Sequence, residues 1–286
     1  RWEEIAAKIE NTLIQAKPSS IDKPDDWYMH TSLYVTYPDM FHKDGVSDLS
    51  TLTEELNRIR SLGFDAIHVL PFFESPQIDA GFDISSYSRV RGDLGGNEAL
   101  DHFVDQARSK GMSVFIDLIL NHVSYKHDWF QKALEGDEFY RNFFIWKDTK
   151  PEVINRYTDD RGMWATYKQT NGETFDVRII FPEQCGEIPH WEQYEDGNWY
   201  YHTFYPHQLD LDWLNPNVLL AIIEEVIFWA EKGVSFRLDA IPFLAKDLSQ
   251  GITESNELTH DFVRLLHAVV KELSEDTVFL VEAYQG

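Results

Sequence analysis

Apolar runs alternate with helical repeats in the first part of the chain. The first helical repeat covers 50–62, where Ser50 is expected to be the N-cap, and the second covers 97–110. Apolar runs without polar alternation are typical of parallel strands that are covered on both faces. Strands are therefore predicted at 31–37, 65–70 and 113–120, and two successive strand–helix–strand units indicate an α/β fold.

This regular pattern is interrupted once, in the middle of the chain. The stretch 126–212 is rich in Trp, Tyr, Asp, Gly and Pro and has no long helical period, so an inserted subdomain is predicted there. Helical repeats at 216–232 and 256–273 then alternate with strand-like runs at 234–238 and 277–282. The predicted division is 1–125 for the first part of a barrel, 126–212 for the insertion and 213–286 for the continued barrel.

Five predicted strands with helices between them fit part of a (β/α)8 TIM barrel. The five units and the insertion use up this chain, so we expect a barrel truncated after about strand 5, with a subdomain inserted after strand 3. An open doubly wound sheet is the alternative. It is disfavoured because no glycine-rich phosphate loop follows the first strand.

Charge and composition narrow the possible functions. The chain has 25 basic and 49 acidic residues, a net charge of −24, which argues against nucleic acid and anionic membranes as partners. No apolar run is long enough for a membrane span, and the N-terminus is not a secretory signal, so a cytoplasmic location is expected unless a signal was cleaved earlier. Aromatic residues make up 14% of this acidic chain, which is typical of carbohydrate enzymes because rings stack on sugars.

Carboxylates and their partners follow the predicted strands. Arg237 and Asp239 are two residues apart in a strand and share one face, so the guanidinium is expected to keep the carboxylate ionised. Glu282 ends an apolar run, where partial burial would raise its pKa. Taken singly, such residues are more often caps or plain ion pairs. Together, two carboxyl groups in unlike environments are the arrangement that cleaves glycosides.

Five ordered segments resemble signature regions of the α-amylase family, the large retaining α-glucoside family called glycoside hydrolase family thirteen. Three are DLILNHV (117–123), VSFRLDAIPFLAK (234–246) and FLVEAY (279–284), and two more are DAGFDISSY (79–87) and QLDLDWLNP (208–216). The resemblance implies a (β/α)8 barrel with a subdomain inserted after strand 3. The family's later His-Asp pair and its C-terminal β-domain are not found in this sequence.

The resemblance also implies roles for individual residues. Asp239 would be the nucleophile that forms a covalent β-glucosyl intermediate, Glu282 the general acid and base, and Arg237 the group that orients Asp239. The implied substrate-binding residues are Asp79 for the far hydroxyls of a terminal glucose, Phe82 as the stacking platform where many relatives have Tyr, Asp117 as a brace against Arg237, and His122 for the sugar at the cleaved subsite.

The residues within and around these motifs resemble one branch of the family. HVLPFFESP with DAGFD, and TFYPHQLDLDWLNP, resemble the branch of sucrose phosphorylases, glucosylglycerate phosphorylases and amylosucrases. This implies action on sucrose-like or short α-glucosides, with inorganic phosphate as a candidate acceptor. The alternatives are a plain α-amylase or α-glucosidase, and an inactive interaction domain, which the presence of Asp239 and Glu282 disfavours. A metal-dependent hydrolase would need histidine pairs at ligand spacing, which are lacking.

No cofactor is expected, and calcium is the one metal considered. The segment DGVSD partly resembles a calcium loop through Asp44 and Asp48, although Met40 stands where the family loop has a further Asp. Asn121 and Asp210 are the other weak candidates. The alternative is a solvated acidic turn at Asp44 and Asp48.

Overall fold

A computed structural model describes residues 2–19, 23–184 and 186–283. Cys185 and the last residue of the FLVEAY segment, Tyr284, lie outside the described residues. The helices are α1 (Trp2–Gln15), α2 (Leu49–Ser61), α3 (Gly96–Ser109), α4 (Asp128–Leu134), α5 (Glu138–Arg141), α6 (Pro216–Ala230) and α7 (Glu257–Leu273). The strands are β1 (Leu33–Thr36), β2 (Ala66–Val69), β3 (Ser113–Ile119), β4 (His122–Ser124), β5 (Trp146–Lys147), β6 (Glu152–Asp159), β7 (Gly162–Lys168), β8 (Thr174–Ile179), β9 (Trp191–Gln193), β10 (Trp199–Tyr201), β11 (Gln208–Asp210), β12 (Ser235–Asp239) and β13 (Phe279–Val281).

The chain separates into two compact units. The first contains residues 1–119, 220–239 and 262–282, and the second contains 120–219, 240–261 and the residues from 283 on. The boundaries drawn from sequence, 1–125, 126–212 and 213–286, remain a prediction about domains.

The first unit is built on a five-stranded parallel sheet in the order β1-β2-β3-β12-β13. These are the five strands predicted from the apolar runs, so that prediction is confirmed. Every residue of β2 and β3 is buried, as expected for central strands covered on both faces. The parallel order brings the carboxyl ends of all five strands to one edge of the sheet.

Helices of the first unit pack their apolar stripes on this sheet. Leu52, Leu56 and Ile59 of α2 are fully buried, which confirms the predicted helical repeat. The predicted cap is wrong by two residues: Asp48, not Ser50, caps α2, because its carboxylate accepts from the backbone N–H groups of Ser50 at 2.9 Å and Thr51 at 3.0 Å.

The second unit is built from short antiparallel sheets, β6-β7-β8, β5-β10-β9 and β11-β4. Its core cluster includes three aromatic residues, Tyr167, Trp191 and Tyr201, each at most 3% exposed. None of the helices in the described part of the chain is long and apolar enough to cross a membrane.

Candidate active site

Four polar side chains lie on one face of the parallel sheet. Asp117 is in register with Arg237, and His68 is in register with Phe115, which precedes Asp117 by two residues. Alternate residues of a strand point to the same side, so His68, Asp117, Arg237 and Asp239 share that face. Glu282 directly follows β13, the strand next to β12, and its backbone N donates to Leu238 O at 3.0 Å, so the pairing of these two strands extends to Glu282.

Arg237 is the centre of this group. Its Nη1 donates to Asp117 Oδ1 at 3.0 Å and to Asp239 Oδ1, and its Nη2 lies 3.0 Å from Glu282 Oε1. One guanidinium therefore contacts three carboxylates from three neighbouring strands. The structure thus brings together four residues singled out in the sequence, Asp117, Arg237, Asp239 and Glu282.

The two carboxyl groups proposed for catalysis have unlike environments, but not in the expected sense. Asp239 is only 7% exposed, and burial, helped by the nearby charges of Glu282 and Asp117, raises its pKa to about 7 against the opposing effect of Arg237. The expectation that Arg237 would keep this carboxylate ionised left out the burial of Asp239, which has the larger and opposite effect on its pKa.

Glu282, which was expected to be partly buried, is more exposed than Asp239. Its side chain is 42% exposed. Glu282 directly follows β13, which is an edge strand of the described sheet. In the described part of the chain, Asp239 is therefore the more enclosed of the two carboxyl groups.

Asp83 fixes the loop that carries Asp79 and Phe82 through hydrogen bonds. The Asp83 carboxylate is fully buried and accepts from Ser75 Oγ at 2.8 Å, from Ile78 N at 3.0 Å and from Asp79 N at 3.2 Å. The Phe82 ring centroid lies 5.9 Å from the Arg237 guanidinium carbon, so this ring borders the carboxylate cluster. Asp79 and Phe82 are both half-buried.

Glycine is required at one position of this loop. Gly81 has φ +96°, and a Cβ added there would lie 2.9 Å from Pro71 Cβ. No other residue has both the backbone freedom and the absence of a side chain that this close approach needs. The loop that carries the two expected sugar contacts is therefore built against the end of β2.

His122 and Asn121 lie in the second unit. Asn121 Nδ2 is 3.2 Å from His122 Nδ1, and the buried His122 ring meets Phe204 edge-to-face at 5.2 Å between centroids. Because the amide NH₂ can only donate, this contact places the imidazole proton of a neutral His122 on Nε2. His122 also faces Asp210 across the β4–β11 ladder.

A buried lysine joins two of the calcium candidates. Lys246 Nζ donates to Asn121 Oδ1 at 2.6 Å and to Phe243 O, and it lies 2.8 Å from Asp210 Oδ2. Burial lowers the pKa of Lys246, while Asp210 acts against this shift. A metal ion bridging Asn121 and Asp210 would have to displace this ammonium group.

The other two calcium candidates lie in the first unit. Asp48 uses its Oδ1 as the cap of α2, and Asp44 has a left-handed backbone with φ +52°. Among the residues that the structure describes, no group of three or more His, Cys, Asp and Glu side chains could hold a metal ion. Calcium binding stays a prediction from sequence.

Two residues with evident partners carried no assigned role in the sequence. Lys246 closes the VSFRLDAIPFLAK segment, and His68 interrupts the apolar strand β2 with its Nε2 2.8 Å from Asp117 Oδ2. In both cases the sequence does show a polar side chain within an apolar stretch. Burying such a side chain costs free energy unless a partner satisfies it, so a partner could have been expected.

Comparison with known proteins gives a consistent result. A family model described as the catalytic domain of alpha-amylase matches residues 35–286. The chain is 32% identical to the trehalose-6-phosphate hydrolase of Escherichia coli over 226 residues, covering 77% of this chain and 37% of that protein. It is 32% identical to the trehalose synthase/amylase TreS of Mycolicibacterium smegmatis over 266 residues, covering 91% and 41%.

Solved structures give the same result. The crystal structure of the Bacillus licheniformis trehalose-6-phosphate hydrolase superposes with a TM-score of 0.74 at 29% identity, covering 91% of this chain and 45% of that one. The chain therefore spans less than half the length of each of these three relatives.

Proposed function

Because the chain belongs to the α-amylase family, we propose that the intact protein is a retaining enzyme acting on α-glucosides. The resemblance found in the five sequence segments is thereby confirmed at the level of the family. One observation in the structure supports the proposal: a single guanidinium, Arg237, contacts both Asp239 and Glu282 at the ends of adjacent strands. Two carboxyl groups brought to one site are what retaining glycoside cleavage requires.

The proposed reaction has two steps: the first forms a covalent intermediate and the second breaks it down. Asp239 Oδ attacks the anomeric carbon as the glycosidic C–O bond breaks, and Glu282 gives its proton to the leaving oxygen. Glu282, now ionised, removes a proton from the acceptor, whose oxygen displaces Asp239 from the anomeric carbon. Two inversions give net retention of the α configuration. Arg237 holds both carboxylates at fixed positions through the sequence.

Contacts to the sugar are proposed for three residues, and a supporting role for a fourth. The half-buried Phe82 ring beside Arg237 supports its role as the platform beneath the sugar ring. Asp79, on the same loop, would accept hydrogen bonds from the hydroxyls farthest from the cleaved bond. His122, with its proton on Nε2, would donate to the sugar, and Asp117 would brace Arg237 rather than touch the substrate.

We extend the proposal to the architecture of the intact protein. The five parallel strands would form part of an eight-stranded barrel, with 126–212 as the subdomain inserted after strand 3. The relatives support this proposal because each is more than twice as long as the matched part. Strand–helix units beyond the five described would complete the barrel wall.

The substrate class is proposed as sucrose-like or short α-glucosides. The segments around His68 and Asp79 favour the sucrose-acting branch, with inorganic phosphate as acceptor. The relatives named as trehalose-6-phosphate hydrolase and trehalose synthase make trehalose and its 6-phosphate the competing donors. A plain hydrolase, using water as acceptor, is the second candidate function.

Product analysis of the intact protein tests these alternatives. Sucrose, maltose, trehalose and trehalose 6-phosphate would each be supplied with and without inorganic phosphate. A phosphorylase would release α-glucose 1-phosphate only when phosphate is present, whereas a hydrolase would release glucose in both cases. Asp239→Asn is the control, since it should abolish turnover without unfolding the protein. Turnover of none of these donors, or an inverted product, would contradict the proposal.

A further inference from the structure

A histidine occupies the centre of an otherwise apolar strand. In β2 the sequence is AIHV, and all four residues are buried, with His68 only 4% exposed. A polar ring at such a position costs free energy unless a partner satisfies it. The partner is Asp117 on the neighbouring strand, whose Oδ2 lies 2.8 Å from His68 Nε2.

Asp117 connects this histidine to the candidate active site. The carboxylate is fully buried, and its two oxygens have different partners: Oδ2 contacts His68, while Oδ1 accepts from Arg237 Nη1 at 3.0 Å. An ionised carboxylate can only accept hydrogen bonds, so His68 Nε2 must carry the proton in this contact. The resulting chain runs from His68 through Asp117 to Arg237 and from there to both Asp239 and Glu282.

We propose that His68 is a positioning residue of the glucosyl transfer site. Its Nε2–H fixes the Asp117 carboxylate so that Oδ1 faces Arg237, and Arg237 is thereby held between Asp239 and Glu282. This inference rests on the proposed function for its catalytic consequence, but the hydrogen bond itself does not.

The contact has the properties of an orienting bond. Rotation of a carboxylate about its terminal torsion is weakly restricted by its own chemistry, so a donor on one oxygen decides where the other oxygen points. Without that donor, Asp117 would be buried with one hydrogen bond fewer, and Arg237 would lose the fixed partner opposite Asp239. A shift of about 1 Å in a positioned reacting group is enough to cost about 10²-fold in rate.

Matched substitutions in the intact protein separate positioning from packing. His68→Gln keeps an N–H donor at similar reach, whereas His68→Leu keeps an apolar side chain without a donor. We expect His68→Leu to lower kcat by about 10- to 100-fold, the range found for outer partners of functional groups, while KM changes little. His68→Gln should recover most of kcat. Equal kcat losses in both variants, or no loss in His68→Leu, would overturn the proposal.

A double-mutant cycle adds a second readout. If His68 acts through Asp117, then His68→Leu should cause little further loss of kcat in an Asp117→Asn background. Additive losses in the double variant would show that His68 acts by another route and would overturn the proposal. Melting temperatures of all variants, measured in parallel, identify any that lose activity by unfolding.

The hydrogen bond can also be measured without turnover. In protein labelled with ¹⁵N-histidine, the imidazole nitrogens of His68 should show a proton on Nε2, and that proton signal should shift in the Asp117→Asn variant. If the wild-type protein transfers no glucosyl group, the proposed function fails while this spectrum still tests the contact. A proton on Nδ1 alone would overturn the inference even in an active enzyme.

Discussion

Lys246 provides the sharpest prediction about stability, because its ammonium group is buried among fixed partners. Its Nζ lies 2.8 Å from Asp210 Oδ2, and both side chains are fully buried. Asp210 also accepts from Thr203 N at 2.9 Å and from Thr203 Oγ1. Replacing Lys246 by Met keeps the aliphatic stem but leaves a buried carboxylate without its counter-charge.

The expected loss is large for one side chain. Removal of one partner from a buried ion pair costs about 3–5 kcal/mol, since the remaining charge stays desolvated. Lys246→Met should therefore lower the opening free energy of the second unit by about that amount. In the double variant Lys246→Met/Asp210→Asn, both charges are gone, and part of the loss should be recovered.

Hydrogen–deuterium exchange of peptides covering residues 203–211 measures this local opening directly. The matched control is Lys168→Met, which breaks the exposed pair between Lys168 and Glu152, 3.7 Å apart, and should leave exchange unchanged because solvent screens that pair. Unchanged exchange in Lys246→Met, or no recovery in the double variant, would refute the reasoning that the buried charge pair stabilises this unit.

The remaining predictions concern the carboxylates and the metal. The pKa of Asp239 is raised from 3.8 to about 7. Protonated Asp239 therefore adds to the free energy of unfolding, and this contribution is fully present below pH 4 and is lost as the pH rises through 7. At pH 8, Asp239→Asn should therefore raise the free energy of unfolding by up to about 4 kcal/mol relative to wild type, with a higher melting temperature, whereas at pH 4 it should not. An equal effect at both pH values would contradict the assigned shift. Glu282→Gln should lower kcat/KM, which reports the first step, by orders of magnitude for disaccharides but far less for aryl α-glucosides, whose leaving groups need no proton; equal losses of kcat/KM for both substrates would exclude Glu282 as the acid. Dialysis against EDTA should leave the melting temperature unchanged, because the Lys246 ammonium already lies between Asn121 and Asp210; a fall reversed by calcium would show a metal site.

Sequence patterns predicted the parallel sheet well because its strands are buried on both faces. A run such as 113–120, apolar except for Ser113 and Asp117, is expected to be covered on both faces, and the structure has β3 at Ser113–Ile119. The antiparallel sheets of the second unit were not predicted. In β6 nearly every residue is exposed, so no alternation of apolar and polar residues marks it as a strand.

Some details of single residues could not be predicted from the sequence. Asp48 and Ser50 are both good N-cap residues, and the choice of Asp48 depended on where the backbone enters α2. The pKa of Asp239 depended first on how deeply its side chain is buried and then on which charges lie beside it, neither of which the sequence gives. The face shared by Arg237 and Asp239, in contrast, followed directly from their spacing of two.

The most direct test of the account is to trap the proposed intermediate on Asp239. In Glu282→Gln protein, an aryl α-glucoside can still react with the nucleophile, because its leaving group needs no proton, but the second step lacks its general base. The glucosyl group should accumulate on the enzyme, and mass spectrometry of a proteolytic digest should find it on the peptide that contains Asp239. The double variant Asp239→Asn/Glu282→Gln should carry no label. A glucosyl group on any other residue, or turnover in the Asp239→Asn protein, would contradict the central claim.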